Sequence, residues 1–250
     1  MIKLEKCDTP EILKDKAKLW TQNLIDAINK YGSYKNIPDL EKKKLLSHYH
    51  QNEIKEPLFE CSFHKCAFCE CKPDRGGNIE VEHFAPKSKY PELAFEWDNF
   101  LPVCRKCNEA KHDHDTFQES IINPFKEDPE QYFEYNFLII KPKATCPDKQ
   151  KAERTIKVCD LNRSSLNIDR AELMKALTQY LKTVAHYIDL IEEADTERKR
   201  HDRVVKLRDS IENIEVHLKK DSLYSGYCKW FISTQDIYKK AKDIIKELSN

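Results

Sequence analysis

Apolar side chains recur at helical spacing near the start of the chain. Over residues 10–31 they stand three and four positions apart, from Ile12 through Leu24 onward. This period is typical of an α-helix with one buried face. Gly32 suits the end of that helix, because glycine readily adopts the left-handed conformation that follows a last turn. A second helix is predicted over residues 40–49.

The same helical period returns from Ala152 to the end of the chain and predicts four helices. They cover about residues 152–160, 165–194, 197–220 and 234–248. Gly226 is interpreted as a break between the last two. A strand that pairs with a neighbour is predicted over Tyr135 to Ile140. Residues from about Cys61 to Phe117 are expected to hold mostly loops, a short hairpin and one helix.

These patterns predict a mainly α protein with a small α+β module in its middle. We divide the chain into an N-terminal helical segment (1–58), the module (59–118), and a linker with a C-terminal helical region (119–250). Only 4 of the 250 residues are glycine, which argues against a long β-meander with tight turns. A hydrophobic fraction of 40% with 34% charged residues indicates a folded, well-solvated protein.

Charge and hydropathy narrow the class of protein further. The 43 basic and 43 acidic side chains cancel, which counts against a free-standing, high-affinity nucleic-acid binder but permits a local basic patch. The start, MIKLEKCDTP, lacks the apolar stretch of a signal peptide. No apolar run approaches the roughly 20 residues that span a bilayer. We therefore expect a cytoplasmic protein without a membrane contact, whose thiols are reduced.

Four of the ten cysteines form two Cys-x-x-C pairs, a spacing that indicates a metal site in a reducing compartment. The pairs are Cys66 with Cys69 and Cys104 with Cys107. Four thiolates suit tetrahedral Zn²⁺, which would tie together two segments separated by about 34 residues. Cys71 could replace Cys69. The other cysteines expected in the core are Cys7, Cys146, Cys159 and Cys228.

Groups suited to phosphodiester hydrolysis lie between and beside these pairs. His83 can act as a general base, because a neutral imidazole accepts a proton near pH 7. Asn99 can orient it through the other ring nitrogen. Glu82 and Asn108 offer oxygen ligands for a hard cation such as Mg²⁺ or Mn²⁺. A strand would point Glu82 and His83 to opposite faces, so we expect a twist or bulge there.

Several other polar side chains have weaker assignments. A cluster of basic residues surrounds the motif and could neutralise phosphates, although ordinary solvated side chains are the alternative: Lys87, Lys89, Arg105, Lys106 and Lys111. His48 and His50 stand two apart on a predicted helix, so we expect them to face apart at the surface. The sequence leaves open the roles of His112, His114, Cys61 and Cys71.

The order of these residues resembles the HNH endonuclease family, which has a ββα-metal fold. The resemblance rests on Glu82-His83, Asn99, and the ending Cys-Asn-x-x-Lys that contains Asn108, interleaved with the two cysteine pairs. It implies that His83 is the general base and that Asn99 orients it. It also implies that Glu82 and Asn108 bind the catalytic ion. Glutamate stands at 82 where aspartate is common, and asparagine at 108 where many members have histidine.

A longer stretch, roughly residues 60–175, is similar to the PtuB-type HNH proteins of Septu anti-phage systems and to HNH proteins of some retrons. This stretch includes EHFAPKSKYPELAFEWDNFLPVCRKCNEAK and ERTIKVCDLNRSSLNIDRAEL. The resemblance implies a defence nuclease that works with an ATPase partner of the PtuA, ABC or SMC type, on a nucleic acid, with DNA favoured. A non-catalytic zinc module and a toxin-like ribonuclease are the alternatives.

Overall fold

The structure is a computed structural model that describes residues 1–73 and 79–247. It groups the chain into two compact units. Unit 1 holds Met1–Phe133 and Ile140–Asn162, and unit 2 holds Glu134–Ile139 and Arg163–Asn250. In the described ranges, no helix is both long enough and apolar enough to cross a membrane.

Helices dominate the described chain. They are α1 (Glu11–Tyr31), α2 (Asp39–Leu46), α3 (Asn52–Glu60), α4 (Arg105–Lys111), α5 (Lys149–Val158), α6 (Ser164–Glu192), α7 (Glu197–Leu218), α8 (Ser225–Ser233) and α9 (Asp236–Glu247). The strands are β1 (Ile79–His83), β2 (Phe100–Cys104), β3 (Phe133–Asn136) and β4 (Ile139–Pro142). They form two separate two-stranded sheets, β1 with β2 and β3 with β4.

The N-terminal helices agree in part with the sequence prediction. Helix α1 begins after Pro10 and ends at Gly32, whose φ of 78° is the left-handed conformation that glycine tolerates. Helix α2 ends earlier than predicted, and residues Ser47–His50 form a separate 3₁₀ turn. Helix α3 was not predicted. Its apolar signal in the sequence is short, because Ile54 and Leu58, four positions apart, are its fully buried side chains. The helix also contains Pro57.

A buried apolar cluster of unit 1 includes side chains from both the N-terminal helices and the cysteine-rich segment. Leu24, Ile54 and Leu58 belong to the same buried cluster as Val81 and Phe100. The predicted boundary between residues 58 and 59 is therefore not visible as a boundary between compact units. The N-terminal helices instead pack directly on the sheet that carries the candidate site.

The middle of unit 1 is a ββα arrangement, as the pattern of a short hairpin and one helix predicts. Strands β1 and β2 are antiparallel, with Glu82 opposite Leu101 and His83 opposite Phe100. The register is regular over all five pairs, so the bulge expected near His83 is not formed. Helix α4 follows β2 without an intervening loop. Residues 84–99 connect the two strands.

The thiol of Cys7 is not a reduced core group, contrary to the sequence prediction. Cys7 and Cys61 form a disulfide with their Cα atoms 5.7 Å apart, which is within the usual range for such a bond. It joins the N-terminal segment to the end of α3 across 54 positions of sequence. The spacing of these two cysteines in the sequence does not indicate their pairing. The pairing depends on where the fold places the end of α3. Cys159 and Cys228 are buried as predicted.

Unit 2 is mainly helical, with a buried apolar cluster contributed by α6, α7, α8 and α9. Helix α8 was not predicted, because Gly226 was interpreted as a break. Gly226 instead lies in the first turn of α8, and the chain turns at Tyr224, which has a φ of 49°. The single strand predicted over Tyr135 to Ile140 is also wrong. Phe137, with a φ of 53°, forms a turn that separates β3 from β4.

Candidate metal centre and active site

Four buried cysteine sulfurs converge beside the ββα arrangement. Those of Cys66, Cys69, Cys104 and Cys107 all lie within 4.8 Å of one another. The Sγ atoms of Cys69 and Cys104 are 3.7 Å apart. A tetrahedral Zn²⁺ with Zn–S bonds of 2.3 Å would separate its sulfurs by about 3.8 Å. The cluster can therefore hold a metal ion such as Zn²⁺, which would join the turn of Cys66 and Cys69 to β2 and α4.

Cys71 lies next to this cluster but is half-buried. Its Sγ is 3.4 Å from that of Cys69, and its carbonyl oxygen accepts a hydrogen bond of 2.9 Å from the backbone N–H of Cys66. The backbone of Cys71 thus closes the turn that presents Cys66 and Cys69. The four mutually close sulfurs are the set favoured by the sequence spacing.

His83 is held in a defined protonation state by its surroundings. Its Nε2 lies 2.9 Å from the carbonyl oxygen of Ala94. Because a carbonyl oxygen only accepts, Nε2 must carry the hydrogen, which leaves the lone pair on Nδ1. Within the described residues, Nδ1 has no hydrogen-bond partner. Burial, helped by the charge of Lys87, lowers the pKa of His83 well below its usual range, so the ring is neutral.

Aromatic rings fix the plane of this imidazole. The rings of Tyr49 and Phe100 meet it edge-on, with centroid distances of 4.8 and 5.2 Å. Burial raises the pKa of Tyr49 above its usual value, so its phenol stays neutral beside His83. The sequence analysis missed Tyr49. Its position between His48 and His50 was the available signal, but only the fold brings the 3₁₀ turn to β1.

The expected direct hydrogen bond between Asn99 and His83 is not formed. Asn99 instead binds the backbone of the loop that carries Ala94. Its Oδ1 accepts a hydrogen bond of 2.7 Å from the Ala85 N–H. Its Nδ2 donates to the carbonyl oxygens of Ala85 and Leu93, each at 3.0 Å. The buried amide therefore fixes both ends of the loop that presents the Ala94 carbonyl to His83.

Replacement of Asn99 by alanine should lower stability measurably. Asn99→Ala removes three hydrogen bonds and takes away the partner of the Ala85 N–H and of the Ala85 carbonyl, at a cost of about 2–4 kcal/mol in the free energy of unfolding. Urea denaturation measures this change. Asn52→Ala, at an exposed position on α3, is the control and should change stability by less than about 0.5 kcal/mol. Equal stability of both variants would contradict the anchoring role.

Glu82 forms a buried ion pair that corrects the sequence reading of Lys111. The Nζ of Lys111 donates to Oε1 of Glu82 at 2.7 Å and to the carbonyl oxygen of His83 at 2.9 Å. The Lys111 side chain is 0% exposed, so it has no surface to offer a phosphate. A buried ammonium needs a carboxylate partner, and Glu82 supplies it while still lining a cleft.

Asn108 is oriented by Glu80, a residue that the sequence analysis did not single out. The Asn108 Nδ2 donates to Oε2 of Glu80 at 2.6 Å. Because an ionised carboxylate only accepts, this contact assigns the amide, and Oδ1 is the side-chain atom that it leaves available as an acceptor. Glu80 and Glu82 are two apart on β1 and so share a face. This alternation was the signal for Glu80.

The candidate residues meet in a cleft of about 780 Å³. Its lining includes Glu80, Glu82, His83 and Asn108, as well as Tyr49 and His50. Glu82 and His83 reach the same cleft without a bulge, since His83 is the last residue of β1. His48 and His50 do face apart. His50 is exposed and lines this cleft, whereas His48 stacks on Trp20 with ring centroids 4.4 Å apart.

Of the predicted basic cluster, the described cleft lining contains one residue. Lys87 lines the cleft. Lys89 lies 3.6 Å from Asp115, and Arg105 pairs with Glu109 at 2.7 Å. Lys106 is exposed.

The two histidines whose roles the sequence leaves open have different surroundings. His112 is exposed, lines the cleft and contacts Asp113. The His114 Nε2 donates to the carbonyl oxygen of Glu119.

The sequence of this region matches a known nuclease family. Residues 66–114 match the HNH endonuclease family. The matched range contains both cysteine pairs together with Glu82, His83 and Asn108. The match and the observed ββα arrangement confirm the resemblance and the fold class that the sequence predicts.

Relatives of known name carry the likeness beyond the HNH range. The chain is 36% identical over 142 residues to the Septu protein PtuB of Bacillus thuringiensis, which covers 56% of this chain and 52% of the relative. It is 24% identical over 199 residues to the Retron Vc95 putative HNH endonuclease of Vibrio cholerae serotype O1 biovar El Tor, covering 74% and 88%.

A second Septu protein PtuB, from Bacillus mycoides (strain KBAB4), is 29% identical over 159 residues, covering 51% of this chain and 52% of the relative. The chain thus spans about half the length of the two PtuB proteins. The HNH endonuclease range lies inside the N-terminal half of this chain.

Proposed function

We propose that this protein is a metal-dependent HNH endonuclease that hydrolyses phosphodiester bonds of nucleic acid, with DNA as the favoured substrate. The observation that carries the proposal is the state of His83. Its Nε2 is committed to the Ala94 carbonyl, its buried Nδ1 has no hydrogen-bond partner among the described residues, and the residue lines a cleft together with Glu82 and Asn108. A structural histidine would have both nitrogens satisfied.

In this proposal His83 is the general base. Its neutral imidazole takes a proton from the attacking water at Nδ1, while the Ala94 carbonyl stabilises the imidazolium that forms. The lowered pKa of His83, caused first by burial, keeps the base available near neutral pH. Asn99 positions the base through the loop that carries Ala94.

Glu82 and Asn108 are the proposed ligands of a divalent cation, Mg²⁺ or Mn²⁺. Their oxygen atoms suit a hard cation, and Glu80 holds the Asn108 amide with Oδ1 free. When bound, such an ion stabilises negative charge on the phosphate and on the leaving oxygen. Lys111 holds Glu82 in place from the buried side, so that the carboxylate does not need to reorganise.

The four-cysteine cluster is proposed to hold Zn²⁺ in a structural role. Four protein thiolates fill a tetrahedral shell and leave no open position for water or substrate. Asn108 follows Cys107 directly, so that the zinc site also sets the position of the proposed catalytic ligand.

The biological setting is proposed from the relatives. A protein similar to Septu PtuB and to a retron HNH endonuclease is expected to act in anti-phage defence. We propose a cytoplasmic nuclease that works with an ATPase partner of the PtuA or the ABC/SMC type. The zero net charge supports this, because a partner can add to the affinity for nucleic acid of a chain that is not basic overall.

A metal titration tests the proposed function. The purified protein should cleave plasmid DNA with Mg²⁺ or Mn²⁺ and lose this activity in EDTA, and labelled RNA is assayed in parallel. Asn108→Ala should raise the Mg²⁺ concentration for half-maximal cleavage about tenfold or more. Glu92→Gln, which changes an exposed acid outside the cleft lining, should leave that concentration unchanged. Cleavage that persists in EDTA, or none in any metal, would overturn the proposal.

A further inference from the structure

A second, smaller hollow in unit 1 shares wall residues with the cleft at His83. The second hollow has a volume of about 340 Å³, and Tyr49 and His50 line both cavities. Its other walls come from the 3₁₀ turn and from α2, which contributes Asp39, Lys42, Lys43 and Leu46. The shared residues Tyr49 and His50 define a path from the cleft at His83 to α2, and every residue that lines the second hollow lies outside residues 66–114.

Positive side chains lie along this path. Lys55 of α3 and Lys87 line the cleft, and Lys42 and Lys43 line the second hollow. In the part of the chain that the structure describes, Lys43, Lys55 and Lys87 form no ion pair. Lys42 lies 3.7 Å from Asp39, so the hollow keeps a positive balance.

Part of the cleft lining is acidic. Glu80 and Glu82 project from β1, and Glu109 and Asp113 line the cleft from α4 and the residues after it. Such a wall attracts a cation but repels a phosphate chain. A polyanionic strand that reaches His83 therefore needs positive groups in the cleft, and Lys55 and Lys87 supply them.

We propose that the N-terminal helical segment carries the binding track for the nucleic-acid strand. Lys55 and His50 contact phosphates beside the one that is cleaved, and Lys42 and Lys43 contact phosphates further along the strand. This inference rests on the proposed nuclease function. It assigns strand binding to α2, α3 and the 3₁₀ turn between them, whereas the chemistry lies in the HNH range.

Salt-dependent binding of a labelled oligodeoxynucleotide, single-stranded and as a duplex, tests the track. All variants are made in a His83→Asn background, so that cleavage does not disturb the measurement. Lys42→Gln with Lys43→Gln removes two cations of the track. The matched control is Lys35→Gln with Lys44→Gln, which removes two exposed cations of the same segment that line neither cavity.

The track variant should weaken binding about fivefold or more at moderate salt. It should also reduce the slope of log K against log salt by about 1.4 to 1.8, since each lost phosphate contact contributes about 0.7 to 0.9. The control pair should change neither quantity. Lys55→Gln in the otherwise unchanged protein should raise KM for cleavage more than it lowers kcat.

The outcomes separate this inference from the proposed function. Cleavage by the unchanged protein, with equal binding by the track and control variants, would overturn the track while the nuclease assignment stands. Binding that depends on Lys42 and Lys43 in a protein that cleaves nothing would support the track and overturn the nuclease function. An equal loss of affinity in the track variant and in the control variant would show that only the net charge of the protein matters. That result would also overturn the track.

Discussion

His83→Ala is expected to reduce the cleavage rate by about 100- to 10,000-fold, the usual contribution of a positioned general base. The corresponding loss of transition-state stabilisation is about 3–5 kcal/mol. The physical reason is that Nδ1 of His83 is the proposed proton acceptor, and the variant leaves no imidazole at that position. Single-turnover cleavage of plasmid DNA in saturating Mg²⁺ measures the rate of the chemical step.

The same variant removes a buried ring that packs against Tyr49 and Phe100, so its folding must be measured separately. His83→Asn retains a polar side chain and leaves a smaller cavity, and it should be equally inactive. His114→Ala changes a histidine outside the cleft lining and should cleave at the normal rate. Normal cleavage by folded His83→Asn would refute the catalytic assignment.

Cys104→Ser is expected to abolish zinc binding and to unfold the HNH module. Structural zinc sites contribute on the order of 10 kcal/mol, which is comparable with the whole net stability of a domain. Cys104 is the last residue of β2 and precedes α4, so its loss releases the segment that carries Asn108. Metal analysis should show zinc near one per chain in the unchanged protein and near zero in the variant.

Two cysteine variants are the controls for this prediction. Cys146→Ser changes a half-buried thiol outside the cluster and should keep both zinc and stability. Cys71→Ser tests the alternative ligand, and it should also keep zinc if Cys69 is the fourth ligand. A Cys104→Ser protein that retains its metal and melts at the unchanged temperature would refute the zinc assignment.

Much of the candidate site was predictable, because its signals are local in sequence. The Cys-x-x-C spacing places two sulfurs on one turn wherever that turn lies in the fold. The one helix predicted for this segment is formed by α4, which begins at Arg105 and carries Asn108 near its start. The long amphipathic pattern of α1 likewise predicted a helix with nearly correct ends.

Other features depend on partners that are distant in sequence. Lys111 looks like an ordinary surface lysine, and only the approach of α4 to β1 buries it against Glu82. The pairing of Cys7 with Cys61 follows from the position at which α3 ends. Helices α3 and α8 are short, and packing in the core outweighs their weak local signals.

The sequence by itself determined the chemistry: four thiolates for a metal, an imidazole beside a carboxylate, and an amide one residue past a cysteine. The tertiary structure alone decided how these groups are used. It selected Nδ1 of His83 through the Ala94 carbonyl, turned the Asn108 amide through Glu80, and placed His50 and Lys55 at the cleft. The reason is that a side chain's identity is local, whereas its hydrogen-bond partners and burial depend on chain segments that meet only after folding.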